Sequence, residues 1–217
     1  TTGKPEDIDE AEATRMLRHA IDHGVNYVDT AYGYHGGKSE SFVGRALQDG
    51  YRDRVRLVTK MPHWNVQTAA DFDRLLAEQL DKLQTDHLDV YLLHSLGKGS
   101  WLKLRDLGVR EWASKPLSDG RIGRLGFSFH DEFDAFKQIV DEYDWTCCQI
   151  QYNYMDIENQ AGTKGLRYAA DKGLAVIVME PLRGGALARV PDEVRAIFAK
   201  YPVPRMAAEW ALRHVLD

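Results

Sequence analysis

The stretch "DTAYGYHGGKSE", Asp29 to Glu40, holds a carboxylate, two phenols at Tyr32 and Tyr34, an imidazole at His35 and a Lys-Ser pair. Two more reactive groups end later apolar runs: Lys60 closes "RVRLVTK" and His94 closes "HLDVYLLH". A carboxylate and an ammonium at the ends of neighbouring buried strands would pair, because either charge alone is costly there. A phenol beside an ammonium has its ionised form stabilised. A phenol tuned in this way can hand a proton to a developing alkoxide, or take it back in reverse. An imidazole nearby can hold a carbonyl oxygen by hydrogen bonding. The set suits reduction of a carbonyl, given a hydride donor.

Each residue also has a purely structural reading. His94 could be a satisfied core histidine, Asp29 and Lys60 a structural ion pair, and Tyr34 a loop aromatic. His63, Trp64 and Trp101, at loop positions after strands, either line a substrate pocket or pack. His35 and His130 read as loop residues without a chemical role. The order strand, glycine turn, Lys-Ser, helix is also that of a nucleotide-binding P-loop, which needs four residues between its two glycines. Gly33 and Gly37 enclose only Tyr34, His35 and Gly36, and Tyr32 stands where the first glycine should be. Such a loop would not form the anion nest, so Gly36 and Gly37 are expected to steer the chain into a helix capped by Ser39.

The elements that would position these groups follow from periodicity. Met16, Leu17, Ala20 and Ile21 share a helix face, with Asp9 and Glu12 placed as a capping box. Phe42, Val43, Ala46 and Leu47 repeat the spacing. A third helix opens at Thr68 and Asp71 and presents Phe72, Leu75, Leu76, Leu80 and Leu83. Later helices are predicted from Asp131, over "LRYAADKG" and after Pro204. Between them "GVNYVDT", "RVRLVTK", "HLDVYLLH", "GRLGFSFH", "CCQIQYN" and "LAVIVMEP" read as buried strands. Leu96–Gly120 reads as a loop plus one helix. Repeated helix–strand alternation implies a parallel sheet covered by helices. Asp29, Lys60, His94, Ser128, Gln149 and Glu180 each lie at or near the C-terminal end of a different strand. A barrel gathers such ends on one face, whereas an open sheet strings them along a crevice; a (β/α)8 barrel is therefore expected. Nothing along residues 1–217 suggests a second domain.

With 28 basic and 33 acidic residues the net charge is −5, which argues against nucleic acid as the main partner. No run approaches the length of a membrane-spanning helix, and "TTGKPEDIDE" is unlike a signal peptide. Cys147 and Cys148 are the only cysteines, too few for a disulfide framework or a zinc or iron–sulfur site, so a reducing, cytoplasmic setting is expected. Oligomeric state is not legible.

The motifs taken together resemble the aldo-keto reductase family. "NYVDTAYGYHGGKSE" with "VGRAL" is similar to the segment around that family's catalytic Asp and Tyr, "LVTK" to the strand bearing its lysine, and "LDVYLLH" to the strand bearing its histidine. "GRLGFSFH" and "VIVMEPLRGG" are similar to later strands. The resemblance runs from about Asp9 to the C-terminus. It implies a (β/α)8 barrel and an NADPH-dependent carbonyl/alcohol oxidoreductase without a metal, with NAD as the other possible cofactor. It implies that Asp29, Tyr34 (rather than Tyr32), Lys60 and His94 are catalytic, with Asp29 also near the cofactor. It implies that Ser128 and Gln149 meet the nicotinamide carboxamide, that Met179 stands where an aromatic commonly stacks, and that Pro181, Leu182, Arg183 and Gly184 form a pyrophosphate loop. Phe129 replaces the family's usual asparagine. The form of the motifs is most similar to a branch some of whose members carry a C-terminal ferredoxin-like extension, whose cysteines are not in this sequence. The resemblance further implies a barrel whose first and eighth strands lie beyond Thr1 and Asp217, in a longer native polypeptide. The alternative function is a non-catalytic nucleotide-binding redox sensor or subunit on the same fold.

Overall fold

The computed structural model describes residues 3, 4 and 6–216; the domain limits expected at Thr1 and Asp217 lie outside the described residues. The chain divides into two compact units, Thr1–Ser128 and Phe129–Asp217. The first runs α1 (Glu10–Asp22), β1 (Tyr27–Asp29), α2 (Ser39–Ala46), β2 (Arg56–Met61), α3 (Ala70–Leu83), β3 (Val90–Leu96), α4 (Lys98–Asp106), α5 (Val109–Ser118) and β4 (Leu125–Phe129), whose last residue belongs to the second unit. The second runs α6 (Phe133–Glu142), β5 (Cys147–Gln151), α7 (Gly162–Asp171), β6 (Ala175–Met179), α8 (Asp192–Phe198) and α9 (Ala207–Leu216). All six expected strands are present. No helix among the described residues is long and apolar enough to cross a membrane.

In the first unit the strands lie side by side in chain order. β1 and β2 are parallel with Asp29 opposite Val58, and β2 and β3 are parallel with Lys60 opposite Leu92. Tyr91, Leu92 and Leu93 on β3 are all fully buried, as expected of a strand covered on both faces. Helix α1 starts where the sequence indicates: Asp9 Oδ1 accepts the Glu12 N–H at 3.2 Å. Ser39 is not an N-cap. It is the first residue of α2, and its buried hydroxyl pairs with that of Thr30 at 2.8 Å. The segment 96–120 forms two helices, α4 and α5, rather than one. Gly108, at φ +84°, supplies the left-handed residue that separates them.

Two features hold the first unit at a distance from the reactive groups. A Cβ on Gly44 of α2 would stand 2.7 Å from the backbone of Lys82 and Leu83, so only glycine lets α2 approach α3 this closely. At the N-terminal edge of β3, Asp89 accepts the Leu57 N–H at 2.9 Å and pairs with Arg56 and Arg52, each at 3.0 Å. Burial pushes the Asp89 carboxyl up, but the Leu57 N–H and the two guanidinium groups outweigh it and hold the group below its ordinary value.

In the second unit β5 and β6 are parallel, with Cys147 opposite Ala175 and Gln149 opposite Ile177. Both cysteines are buried and unbridged, and burial pushes the Cys148 thiol up to about 12. Asp141 of α6 pairs with Lys137 and with Lys172, just past the end of α7, and accepts the Tyr168 hydroxyl of α7 at 2.7 Å, tying the two helices together.

Three outcomes test this packing. Gly44→Ala forces a clash with main chain and is expected to lower stability by about 1–3 kcal/mol in urea unfolding. Asp89 has a folded-state pKa below its unfolded value, so its contribution is complete above the unfolded value and fades as pH falls through the folded one. Asp89→Asn is thus expected to cost about 1–3 kcal/mol at neutral pH and to flatten the stability–pH curve below about pH 4. Iodoacetamide is expected to leave both cysteines unmodified until the protein is unfolded, as mass spectrometry would read.

Candidate active site

Lys60 is 1% exposed, near the C-terminal end of β2. Its ammonium has three hydrogens to place, and three acceptors meet it. They are the Asp29 carboxylate at the end of β1, the Thr30 carbonyl at 2.9 Å and the Tyr34 hydroxyl at 3.2 Å. With the Tyr34 oxygen accepting from the ammonium, the phenol's own hydrogen is left to donate outward, and the residue is 42% exposed.

The loop after β1 delivers Tyr34 by a run of left-handed residues. His35 (φ +52°), Gly36 (φ +63°) and Gly37 (φ +85°) reverse the chain into α2. The two tyrosines diverge. Tyr32 donates to Glu78 of α3 at 2.9 Å and lies under the Lys82 ammonium, 3.9 Å from its ring centre. Tyr34 alone of the pair reaches Lys60.

His94, on β3, stands edge-on to Tyr34 with ring centres 6.0 Å apart, and Trp64 lies 5.1 Å from it. His63 and Trp64 lie in a short 3-10 turn after β2, with their rings in edge contact at 5.1 Å. Burial, aided by the Lys103 ammonium, pushes the His63 imidazole below its ordinary value. Trp64 is 45% exposed beside His94, a position open to a ligand. Trp101 is different from the expectation. It lies on α4 rather than in a loop and is fully buried, so it packs the interior and presents no surface to a substrate.

Ser128, near the end of β4, is buried, and its oxygen accepts the Ser95 N–H at 2.7 Å. Ser95 follows His94 directly and holds φ +53°, a conformation that this bond helps to fix. The Ser128 hydroxyl keeps its own hydrogen to donate, which fits the amide oxygen of a nicotinamide.

In the second unit Gln149 lies on β5, buried, and Met179 ends β6 half-buried. Phe129 is fully buried and packs edge-on against Phe136 at 5.1 Å, so it serves the core. Beyond β6, Pro181, Leu182, Arg183 and Gly184 form a tight turn in which Glu180, Arg183 and Gly184 all have positive φ. The turn is tied to the loop after β5. Asn153, fully buried, donates to the Glu180 carbonyl at 3.2 Å and to Asp156 at 3.0 Å, and Asp156 pairs with Arg183 at 3.2 Å. Arg183 is thus oriented by a carboxylate while half exposed, as suits a group that meets an anion.

Sequence reasoning missed the buried polar side chains behind Lys60: Glu40, Thr59, Gln79 and Tyr91. One signal was present. Gln79 occupies the helical spacing of the apolar stripe Phe72, Leu75, Leu76 and Leu83, and it is buried where Leu80, read as part of that face, is only half-buried.

Comparison with known proteins identifies the family and the fold. The sequence profile described as the Aldo/keto reductase family matches residues 1–213. The Bacillus subtilis aldo-keto reductase YhdN is 30% identical over 82% of this chain, and the match covers 54% of that relative, so the chain spans little more than half its length. Among solved structures, the aldo-keto reductase AKR11C1 from Bacillus halodurans in its holo form superposes with a TM-score of 0.80 at 25% identity, over 98% of this chain and 76% of that one. An aldo/keto reductase from Klebsiella pneumoniae in complex with NADP and acetate gives 0.77 at 28% identity, over 97% of this chain and 73% of that one. The fold class is accordingly that of a (β/α)8 barrel represented in part, with six strands among the described residues. On a family match that spans nearly every residue, this chain belongs to the aldo/keto reductase family.

Proposed function

We propose that the protein is an NADPH-dependent reductase of aldehydes or ketones in which Tyr34 is the general acid. The observation that carries this reading is the saturation of the Lys60 ammonium by Asp29, the Thr30 carbonyl and the Tyr34 hydroxyl. A reduced nicotinamide, when bound, supplies the hydride for the carbonyl carbon. Tyr34 donates its proton to the carbonyl oxygen, since its own oxygen already accepts from Lys60. Lys60 stabilises the phenolate left behind, and Asp29 balances the ammonium so that the buried pair stays close to neutral. His94, beside Tyr34, orients the same oxygen by hydrogen bonding. In the oxidative direction the phenolate takes the proton back from an alcohol.

The cofactor contacts are proposals of the same standing. Ser128 fits a carboxamide through its remaining hydrogen, and Gln149 has the chemistry to bind the same group. Met179 offers a polarisable thioether to a ring. Pro181, Leu182, Arg183 and Gly184 offer a turn with a cation held by Asp156. NADP bound to the Klebsiella pneumoniae relative supports NADPH, with NAD as the competing cofactor. Trp64 and His63 are proposed to line the substrate pocket. The two unbridged thiols suit a reducing, cytoplasmic setting.

The test is NADPH oxidation with a panel of aldehydes and ketones, wild type against Tyr34→Phe. Loss of the phenol is expected to lower kcat by about 100-fold or more, with NADPH binding retained by fluorescence titration. Equal rates would remove Tyr34 from the chemistry. Tight cofactor binding with no turnover on any carbonyl would favour the redox sensor.

A further inference from the structure

The backbone of Lys60 has an unusual partner. Along β2 the main-chain groups alternate sides: the Val58 carbonyl accepts from Thr30 N–H at 2.9 Å, toward β1, and the Leu57 carbonyl accepts from Asp89 N–H at 3.1 Å, toward β3. Lys60, two residues beyond Val58, therefore faces the β1 side. β1 ends at Asp29, opposite Val58, so the Lys60 carbonyl points past the end of the neighbouring strand. It accepts instead from the side-chain amide of Gln79 on α3, at 3.0 Å.

That amide is itself fixed on every side. Its nitrogen also donates to Glu40 Oε1 at 2.5 Å, and its oxygen accepts from the Tyr91 hydroxyl at 2.6 Å. Because the Lys60 carbonyl can only accept, the amide has a single orientation. Glu40 Oε1 also accepts from Thr59, the residue before Lys60, at 2.6 Å. Gln79, Glu40, Tyr91 and Thr59 are each fully buried. Burial pushes the Glu40 carboxyl up, against the bonds from Thr59 and Gln79 that favour its charged form. Glu40 Oε2 has no hydrogen-bond partner among the described residues and faces the Lys82 ammonium at 4.0 Å; the bonds through Oε1 and the Gln79 amide are the ones that specify the arrangement.

We infer that Gln79, locked by Glu40 and Tyr91, is a positioning residue that fixes Lys60 through its backbone carbonyl and so sets where the ammonium meets Tyr34. The inference rests on the reading of Lys60 as part of the reacting site. None of the network touches substrate; it acts through β2. The amide replaces the strand partner that β1 does not provide, and without it the last residues of β2 would be held on one side only.

The test uses the full chain with Gln79→Met, Tyr91→Phe and Lys60→Met, together with the Gln79→Met/Lys60→Met double variant. Thermal unfolding, steady-state NADPH oxidation with the best carbonyl of the panel, and the ammonium NMR signal of Lys60 in 15N-lysine-labelled protein are measured. Gln79→Met is expected to lower kcat by about 10- to 100-fold, as for a misplaced catalytic group, with KM changed less than about threefold. Tyr91→Phe is expected to give a smaller loss in the same direction, and it carries the test where Gln79→Met fails to fold. The Lys60 ammonium signal is expected to be sharp and slow to exchange in wild type and to broaden in both variants. In the Lys60→Met background Gln79→Met is expected to cost nothing further in kcat. An unchanged kcat in folded Gln79→Met, an equal loss in the Lys60→Met background, or an unaltered Lys60 signal would each overturn the inference. If wild type reduces no carbonyl, the enzymatic reading falls, while the Lys60 signal in Tyr91→Phe still decides the positioning role.

Discussion

A single ammonium group buried at the end of a strand governs the reactive part of this molecule. Removed from water, the Lys60 charge has to find an acceptor for each of its hydrogens, and the first unit supplies one from the end of β1, one from the main chain after it and one from the following loop. That requirement explains features otherwise unrelated. The left-handed run at His35, Gly36 and Gly37 brings Tyr34 inward. The hydroxyl pair of Thr30 and Ser39 pins the loop to α2 at the residue whose carbonyl faces Lys60. The acceptor drawn from the main chain is beyond the reach of any side-chain substitution.

The two ends of β2 divide the labour by charge. Against its start lies Asp89, at the edge of β3, an acid held by two arginines and a backbone N–H, remote from any reactive group. At the finish Lys60 is a base held by one acid and two neutral oxygens. Both are buried charges with partners, yet only the second leaves a partner, the Tyr34 phenol, with a hydrogen directed outward. This is the asymmetry expected of a barrel-type strand, where one end is given to stability and the other to chemistry.

Much of this was legible in the sequence. The placement of Asp29 at the end of β1, and of Lys60 and His94 within two residues of the ends of β2 and β3, follows from apolar runs that stop at polar residues, and spacing within the family motif separates Tyr34 from Tyr32. What escaped had physical causes. The α4–α5 pair is two short helices, and the periodicity of Trp101 and Leu104, then of Val109 and Ala113, is too brief to distinguish from a loop rich in glycine. For Trp101 the sequence leaves pocket wall and packing equally open, because its segment reads as a loop plus one helix; on α4 the side chain is fully buried and packs. Ser39 has the composition of a cap, but a buried hydroxyl already offered by Thr30 takes it. Gln79 is invisible to a helix-face pattern built from apolar residues alone. A polar residue at the centre of such a face is buried if the partners across from it are polar, and those partners, Glu40, Thr59 and Tyr91, lie on three other elements.

The adjacent cysteines of β5 bear on the company such a protein keeps. A thiol becomes a nucleophile only as its anion and only where solvent can bring an electrophile to it. Cys147 and Cys148 are both enclosed, and Cys148 is held protonated far above neutrality. Aldehydes and other carbon electrophiles that readily poison exposed thiols find none here. Neither thiol of β5 is open to that attack.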